Sequence, residues 1–377
     1  MIEGKAADVI VIGGGIIGAA CADELARHGV NVLVLDCQRP AATAAGMGHL
    51  VVLDHSPAEL ALGNYSVGLW RELAPHMPDD CALRTNGTLW LACNDQEMVE
   101  AERKHAALNE CGMACELLTG AAVADAEPAL RPGLAGALRV AGDGILYAPN
   151  AARWLLQRQP HQVRQQRAEV VDVEGPRVRL ADGQWLQADA VVLANGIHAR
   201  TLCPELPLEP KKGHLLITDR YPARITHTLV ELGYVTSAHQ GKGPSVAFNV
   251  QQRPTGQLFV GSSRQFDQDD AAIDAAMLGR MLRRAMEFLP DLGTLNGIRS
   301  WTGLRAASPD GQPLIGEHPA QPGLWLAVGH EGLGVTTATG TARLLAAQLL
   351  RAPLPEPLQA HLNAFLPQRF IGASAHA

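Results

Sequence analysis

The stretch DVIVIGGGIIGAACADELARHGVNVLVLD, Asp8 to Asp36, decides the fold. Val9–Ile12 is a short apolar run, as a central parallel strand needs when both of its faces are covered. Gly13, Gly15 and Gly18 follow at G-x-G-x-x-G spacing. The first glycine permits a tight turn, the second lets a pyrophosphate approach the backbone, and the third lets helix and strand pack closely. Residues from Ile16 to His28 predict a helix, stopped by Gly29. Its N-terminus, at Gly13, Gly15, Ile16 and Ile17, offers unpaired N–H groups and a positive dipole end to phosphates. VNVLVLD reads as the second strand. Asp36 at its end is placed to accept hydrogen bonds from a ribose 2′- and 3′-OH, with Cys37 beside it. An acid there disfavours a 2′-phosphate, and so disfavours NADP. Three glycines could meet by chance in a chain that holds 38. Strand, glycines, helix, strand and acid in this order make a dinucleotide site instead. The segment alone does not choose between FAD and NAD.

The chain has 377 residues, enough for two domains with ample core. A 47% hydrophobic and 18% charged composition describes a soluble globular protein. A net charge of −7 argues against nucleic acid or an anionic membrane as partner. Val9–Ala22 is mostly apolar but too short to span a bilayer, and MIEGKAAD is not a basic leader. No targeting segment is read, and seven scattered cysteines point to reduced thiols in a cytoplasm. Cys111 and Cys115 form C-x3-C on an expected helix, without the second pair or His cluster that a metal site needs, so no metal is assigned.

After Asp36 the loop Ala41–Gly48 is built of small residues that let backbone approach a bulky planar ligand. Ser56–Leu73 predicts a helix with Ser56 as cap and Pro57 at its first position. Cys81–Cys93 reads as a hairpin turning at Asn86-Gly87, and Asn94 to Cys111 as a helix. Ala168–Gly196 is an antiparallel meander ending in a buried strand. GHLLITD, VAFNV and GQLFVGSS are further strands, and Asp269–Leu289 is a helix closed by Pro290. Gly323–Leu350 is strand, glycine-rich loop and long helix. A nucleotide-binding half is thus assembled from three separated pieces, with a second sheet threaded between them.

This layout resembles the FAD-dependent D-amino-acid oxidase and glycine oxidase superfamily over essentially the whole chain. Four motifs carry the resemblance: the Asp8–Asp36 stretch, AATAAGMGHLV (Ala41–Val51), ADAVVLANG (Ala188–Gly196), and WTGLRAASPDGQPLIG with GLWLAVGHEGLGVTTATG (Trp301–Gly316 and Gly323–Gly340). The wording AAGMGHLVVLDHSPAELALGNYSVGLWREL looks closest to the β subunits of heteromeric amine dehydrogenases, the D-hydroxyproline dehydrogenase, hydrogen cyanide synthase and opine-oxidising subunits. The implied fold is α/β. A Rossmann-like FAD domain of the GR2 type comprises residues 1–80, 148–212 and 301–377, and an α+β substrate domain with a mixed antiparallel sheet comprises 81–147 and 213–300. One departure is visible: QRQPHQVRQQRAEVV, before the adenine strand, is short and interrupted by Pro160.

The resemblance also implies site residues. Thr43, Ala45, Gly46 and Met47 pass the flavin ring, Val170 lies on the adenine side, and Ala194 and Gly196 touch the cofactor. Arg305, framed by Trp301, Gly303 and Asp310-Gly311, matches the arginine that binds a substrate carboxylate. A planar fork fixes a carboxylate in two bonds and so orients its Cα–H. The rival reading is a surface arginine after a glycine turn. Gly329, Gly332, Leu333, Gly334, Val335 and Thr336 bring backbone N–H groups and a helix N-terminus to the flavin edge that becomes anionic on reduction. The rival there is an ordinary strand–helix turn. His330 and His49 are candidates for contact with substrate, although a lone histidine is more often structural, and hydride transfer from a neutral amine needs no protein base. Lys211-Lys212 is either a solvated pair or an approach to a partner cofactor, and Arg264 is a further pocket candidate. No lysine aligns with the one some oxidases place over the flavin, which leans towards a dehydrogenase.

The implied reaction is oxidation of the C–N bond of a D- or cyclic secondary amino acid by hydride transfer to flavin N5. The lead substrate is cis-4-hydroxy-D-proline and the product a pyrroline carboxylate. Electrons would leave through partner subunits, including a small [2Fe–2S] protein, and an FMN at a subunit interface stays open. Two alternatives remain: a stand-alone glycine, sarcosine or D-amino-acid oxidase that makes hydrogen peroxide, and a non-catalytic flavin-binding subunit.

Overall fold

The structure, a computed structural model, describes residues 5–52, 55–233, 243–266 and 268–371. From the N-terminus, β1 (Val9–Ile12) turns through the glycines into α1 (Ile16–Arg27) and returns as β2 (Val32–Asp36). A single helical turn, α2 (Ala42–Ala45), and the short β3 (His49–Leu50) precede α3 (Pro57–Leu73). The Ser56 side chain caps α3 by accepting from the Glu59 N–H, which satisfies one of its orphan donors. Next come β4 (Thr88–Ala92), α4 (Asp95–Glu110), β5 (Cys115–Thr119), α5 (Gly120–Ala126), β6 (Gly136–Val140) and β7 (Gly144–Ile145). Then α6 (Ala148–Gln157) and β8 (Val163–Arg167) lead into β9 (Val170–Glu174), β10 (Arg177–Leu180) and β11 (Trp185–Gln187). After β12 (Ala190–Leu193) and α7 (Ala199–Leu202) the chain forms β13 (Glu209–Arg220), β14 (Thr228–Glu231), β15 (Ser245–Gln252) and β16 (Gln257–Arg264). It ends with α8 (Ala275–Phe288), β17 (Gly297–Ala307), β18 (Leu314–Glu317), β19 (Leu324–Val328) and α9 (Gly334–Leu349).

Two large sheets organise these elements. The first has the order β18-β19-β12-β1-β2-β8, with β1 in parallel register between β12 and β2. Alternate residues of β1 feed two cores, as strand geometry requires. Val11 joins Leu25 of α1 and Ala338 and Leu345 of α9 on one face. Ile10 joins Val178 of β10, from the meander, on the other. This is the doubly covered α/β sheet expected from the opening stretch. The second sheet has the order β17-β13-β16-β15-β14-β4-β6-β5 and is mixed, since β14 and β4 pair in parallel. Its back is packed by α8, where Phe248 stacks on Phe288 with ring centroids 4.4 Å apart. The longest strands, β13 and β17, pair along almost their whole lengths and run across positions 212 and 301.

Three local expectations are corrected. Cys81–Cys93 is not a hairpin: Arg84 bridges to Ile145, and β4 pairs instead with β6 and β14. Gly87 has φ 73°, but no hairpin turn forms at Asn86-Gly87: the Gly87 N–H donates to the Asp143 carbonyl and its own carbonyl accepts from the Thr228 N–H. Cys111 and Cys115 do not share a helix face, because α4 ends before Gly112 at φ 72° and Cys115 opens β5. The helix expected from Asp269 begins only at Ala275, capped by Asp274, and Asp270 is used to pair with Lys212 at 2.8 Å. Among the described residues all seven cysteines are free thiols, and no helix is long and apolar enough to cross a membrane.

Candidate functional site

The end expected to take a nucleotide lies where the adjacent strands β1, β2 and β12 finish. Gly13 has φ 104°, and a Cβ there would sit 2.7 Å from the Ala194 carbonyl oxygen, so no side chain fits. Helix α1 begins after Gly15 without a side-chain cap. The Gly14 N–H donates to Asp36 Oδ2 at 2.5 Å, and the Ile16 N–H to Thr43 Oγ1 at 3.0 Å. The Gln38 N–H donates to the other Asp36 oxygen, which fixes the acid at the strand end. Cys37 follows it, half-buried. Val170 opens β9 two residues beyond Ala168, whose N–H donates to the Asp36 carbonyl at 3.1 Å, so it lies by the same strand end. Gly196, at φ 60°, starts a short turn after Ala194.

From there a strip of small residues leads to the second sheet. Trp301 Nε1 donates to the Ala45 carbonyl at 3.0 Å, and a Cβ on Gly303 would meet that of Ala45 at 2.4 Å. Gly46 closes α2 by donating its N–H to the Ala42 carbonyl. Met47 is buried against Leu215 and Phe259, and Gln251 Nε2 donates to its carbonyl at 2.5 Å. Among the described residues, three buried polar atoms here have no hydrogen-bond partner: His49 Nε2, Asn249 Oδ1 and Gln251 Oε1.

The C-terminal loop closes this strip. Gly332 lies over Arg305, since a Cβ there would be 3.9 Å from the arginine Cδ and Nε. Leu333 precedes α9, and Gly334 approaches Ile17 Cδ1, so the first turns of α9 and α1 are neighbours. Thr336 Oγ1 donates to the His49 carbonyl and accepts from the Val51 N–H, each at 3.1 Å. Trp70 Nε1 donates to the carbonyls of Val335 and Thr336, each at 3.0 Å. The Gly329 backbone has φ 83°. His330 is turned into α9, with Nε2 3.0 Å from Thr341 Oγ1, and burial alone pushes its pKa down to about 3. That geometry gives His330 the task of holding the loop on the helix. It does not present the ring to a substrate as the sequence expectation had it.

His49 is also buried. Burial, and next the nearby Arg253, lower its pKa to about 4, against a smaller opposing pull from the Gln251 side chain. It is therefore neutral at physiological pH, with Nε2 unengaged by the described residues. Arg305 reaches over Gly213, and its Nη1 donates to the Ser263 carbonyl at 3.2 Å. Beside it Glu331 pairs with Lys211 at 3.2 Å and Arg264 at 3.1 Å. Burial pushes the Glu331 carboxyl up, but Arg264, Lys211 and Arg305 together outweigh this and hold it below its ordinary range.

The structure thus brings the residues singled out at both ends of the chain into one continuous strip. Sequence reasoning missed Ser263, Gln251, Arg253, Glu331 and Gly261, where a Cβ would lie 2.7 Å from Leu215 Cδ2 and 3.2 Å from Met47 Sδ. Only Glu331 left a usable signal, as a lone charge inside a glycine-rich loop. The others became visible once β13, β15 and β16 were in register. A cradle that excludes side chains at Gly13, an acid at the end of β2, and buried polar atoms around Met47 together suit a dinucleotide that ends in a flavin.

Comparison with known proteins agrees with this geometry. The family described as DAO, FAD dependent oxidoreductase, matches residues 8–348. An opine oxidase subunit of Rhizobium meliloti is 26% identical, over 98% of this chain and 99% of that protein. Glycine oxidase of Geobacillus kaustophilus strain HTA426 is 29% identical, over 90% of this chain and 92% of its own. A crystal structure of glycine oxidase from Geobacillus kaustophilus superposes with a TM-score of 0.85 at 26% identity, covering 97% of this chain and 99% of that one. The chain belongs to the DAO family of FAD-dependent oxidoreductases, and its cofactor is FAD.

Proposed function

We propose that the chain oxidises the C–N bond of an amino acid, of the D- or cyclic secondary class, with cis-4-hydroxy-D-proline as the lead substrate and a pyrroline carboxylate as the product. The observation that carries this reading is the Arg305 guanidinium, placed over Gly213 at the end of the strip that runs past Ala45, Gly303 and the 329–334 loop. Two parallel hydrogen bonds from this fork fix a carboxylate and leave the Cα–H in one orientation. Bound along the strip, FAD supplies the two-electron acceptor for a hydride from Cα. The chain's own part is to bind, orient and stabilise. The N–H groups of the 329–334 loop and the first turn of α9 present positive potential where charge collects on reduction. Neutral His49 offers an acceptor to an amine N–H, while His330 holds the loop in place.

The assignment of FAD contacts to Gly13, Gly15, Ile16, Ile17, Asp36, Thr43, Ala45–Met47, Ala194, Gly196 and the 329–336 segment is part of the same proposal. So is the division into an FAD domain and a substrate domain. Transfer of electrons to partner subunits, a [2Fe–2S] protein among them, draws support from the opine oxidase relative, which is by name one part of a larger enzyme and matches over nearly its whole length. The second reading, a free-standing oxidase that produces hydrogen peroxide, draws support from the likeness to glycine oxidases.

The test is anaerobic titration of the FAD-loaded chain with cis-4-hydroxy-D-proline, D-proline, sarcosine and glycine, read as bleaching of the flavin band. Bleaching by hydroxyproline with slow reoxidation in air is expected. Fast reoxidation after glycine or sarcosine would move the assignment to the oxidase. No bleaching by any amine would overturn the amine-oxidising reading.

A further inference from the structure

Arg305 is anchored at a break in the second sheet. Strands β13 and β16 are in register at Leu216 and Val260, and the chain meets again at Lys212 and Gln265. Between these pairs β13 has positions 213–215 and β16 has positions 261–264, one more. An extra residue on one strand makes a bulge, and bulges beside a site re-aim the groups they carry. Here the group is the Ser263 carbonyl, which accepts from Arg305 Nη1 at 3.2 Å. On the β15 side Ser263 is in register with Val246. On the β13 side its hydroxyl holds it: the His214 N–H donates to Ser263 Oγ at 2.9 Å, and His214 Nδ1 lies 2.9 Å from the same oxygen.

The hydrogen-bond roles of the His214 ring are fixed by its surroundings. The Asp274 N–H, at the cap of α8, donates to His214 Nε2 at 2.9 Å. Nε2 therefore carries no proton, and Nδ1 carries the one that it donates to Ser263 Oγ. His214 and Ser263 are 0% and 2% exposed. Burial, and next Lys212, hold the His214 pKa below its ordinary 6.5, against the pull of Asp274, so the ring is neutral, as this tautomer requires. Gly213 turns its open side to the Arg305 guanidinium, so His214, next along β13, faces away from it. Its task is not to touch a substrate. Glu331 attracts the same guanidinium from the 329–334 loop, so the direction of Arg305 depends on how firmly the Ser263 carbonyl is placed.

We infer that Ser263 and His214 are positioning residues for Arg305: the imidazole and the hydroxyl lock the bulge of β16, so that the Ser263 carbonyl holds the guanidinium over Gly213 with its fork directed at a carboxylate. This rests on the proposed reading of Arg305 as the residue that binds the substrate carboxylate. A two-pronged contact is sensitive to direction, since a fork turned away keeps its charge but loses its second hydrogen bond. The pair therefore acts on carboxylate recognition from behind the sheet, through a backbone oxygen.

The test is calorimetric binding of pyrrole-2-carboxylate and pyrrole-2-carboxamide to the FAD-loaded chain. The first is a flat ring carboxylate with no hydride to give, and the second has the same shape without the charge. Their affinity ratio measures how well Arg305 meets a carboxylate, whereas a general loosening of the fold lowers both affinities together. Arg305→Met should bring the ratio close to one. Ser263→Ala should lower it about tenfold and His214→Gln about threefold, in the range that single hydrogen bonds contribute. His214→Asn should keep most of it, because a short amide can still donate to Ser263 Oγ, while the longer glutamine amide replaces only the acceptor for the Asp274 N–H. If Ser263→Ala does not fold, the two His214 variants decide. A ratio unchanged in Ser263→Ala and His214→Gln, or kept in His214→Gln and lost in His214→Asn, would overturn the positioning role while leaving Arg305 its own. No preference for the carboxylate in the natural chain, or the same preference in Arg305→Met, would instead overturn the carboxylate reading of Arg305 and the positioning role with it.

Discussion

The guanidinium of Arg305 occupies the space over Gly213 that a side chain would fill: a methyl there would lie 2.7 Å from Nη2 and 2.8 Å from Nη1. The two residues are on adjacent strands, two positions apart in register, since Gly213 faces Gly303 and Lys211 faces Arg305. A glycine on β13 thus sets where an arginine of β17 can lie.

Gly213→Ala should therefore displace the guanidinium without touching the nucleotide crevice. The expected result is a rise in KM for carboxylate substrates of about ten- to a hundredfold, the worth of charged hydrogen bonds lost to misalignment. FAD content, read from the flavin absorbance of the purified variant, should match that of the natural chain. Loss of FAD together with substrate binding would show that the strand itself had been disturbed.

Asp36 accepts from the Gly14 and Gln38 N–H groups, and so is fixed at the end of β2, the place proposed for the FAD ribose. Asp36→Ala should weaken FAD binding by about tenfold or more, since charged hydrogen bonds contribute about 1.5–3 kcal/mol. It should also shrink the rise in melting temperature on adding excess FAD, because stabilisation by a ligand follows its affinity. Fluorescence titration of the apoprotein measures the first effect and thermal melts the second.

Asp143 lies outside the site, fully buried, and neither carboxylate oxygen has a hydrogen bond of good geometry. Burial pushes its pKa up to about 8, against smaller pulls from Thr88, Arg71 and the Val52 N–H. The folded chain therefore keeps a proton that the unfolded chain releases near the ordinary value of 3.8. This contribution to stability is fully present below that lower value and is lost as pH rises through the folded pKa. The loss of melting temperature from this source should thus run between about pH 4 and pH 8, and Asp143→Asn should flatten the slope.

His49 acts in the opposite direction. Its folded pKa of about 4 lies below the ordinary 6.5, so the unfolded chain gains a proton that the folded one refuses. Stability from this source is complete above the unfolded value and drains away as pH falls towards the folded one. Urea titrations at successively lower pH should show this acid-side loss, and His49→Gln should reduce it. An unchanged acid slope in that variant would contradict a neutral, buried His49.

The nucleotide half was legible because its rules are local. A strand, three glycines, a helix and an acid within Asp8–Asp36 are all adjacent in sequence, and α3 announced itself through the cap Ser56. What escaped was set by pairing at a distance. The Cys81–Cys93 segment has good hairpin wording, yet β4 finds its partners at Gly136–Val140 and Thr228–Glu231. Asp269 looked like a helix start, but the ion pair of Asp270 with Lys212 on β13 and the cap at Asp274 delay the helix. The same holds in the site: Arg305 could be named from its motif, whereas its support from Ser263 and Gly213 depends on register among β13, β16 and β17.

The placement of β1 bears on how the chain reaches its native state. It lies between β2 and β12, which is made roughly 180 positions later, and β12 in turn pairs with β19, roughly 130 positions further on. In the other sheet β4 pairs with β14 across roughly 140 intervening positions. Neither sheet can close during early synthesis, so nascent chains expose apolar strand edges until late, a situation that slows folding and invites aggregation. Yield on expression should consequently depend on synthesis rate and chaperone supply, and C-terminal truncation before β19 should cost solubility as well as the flavin loop.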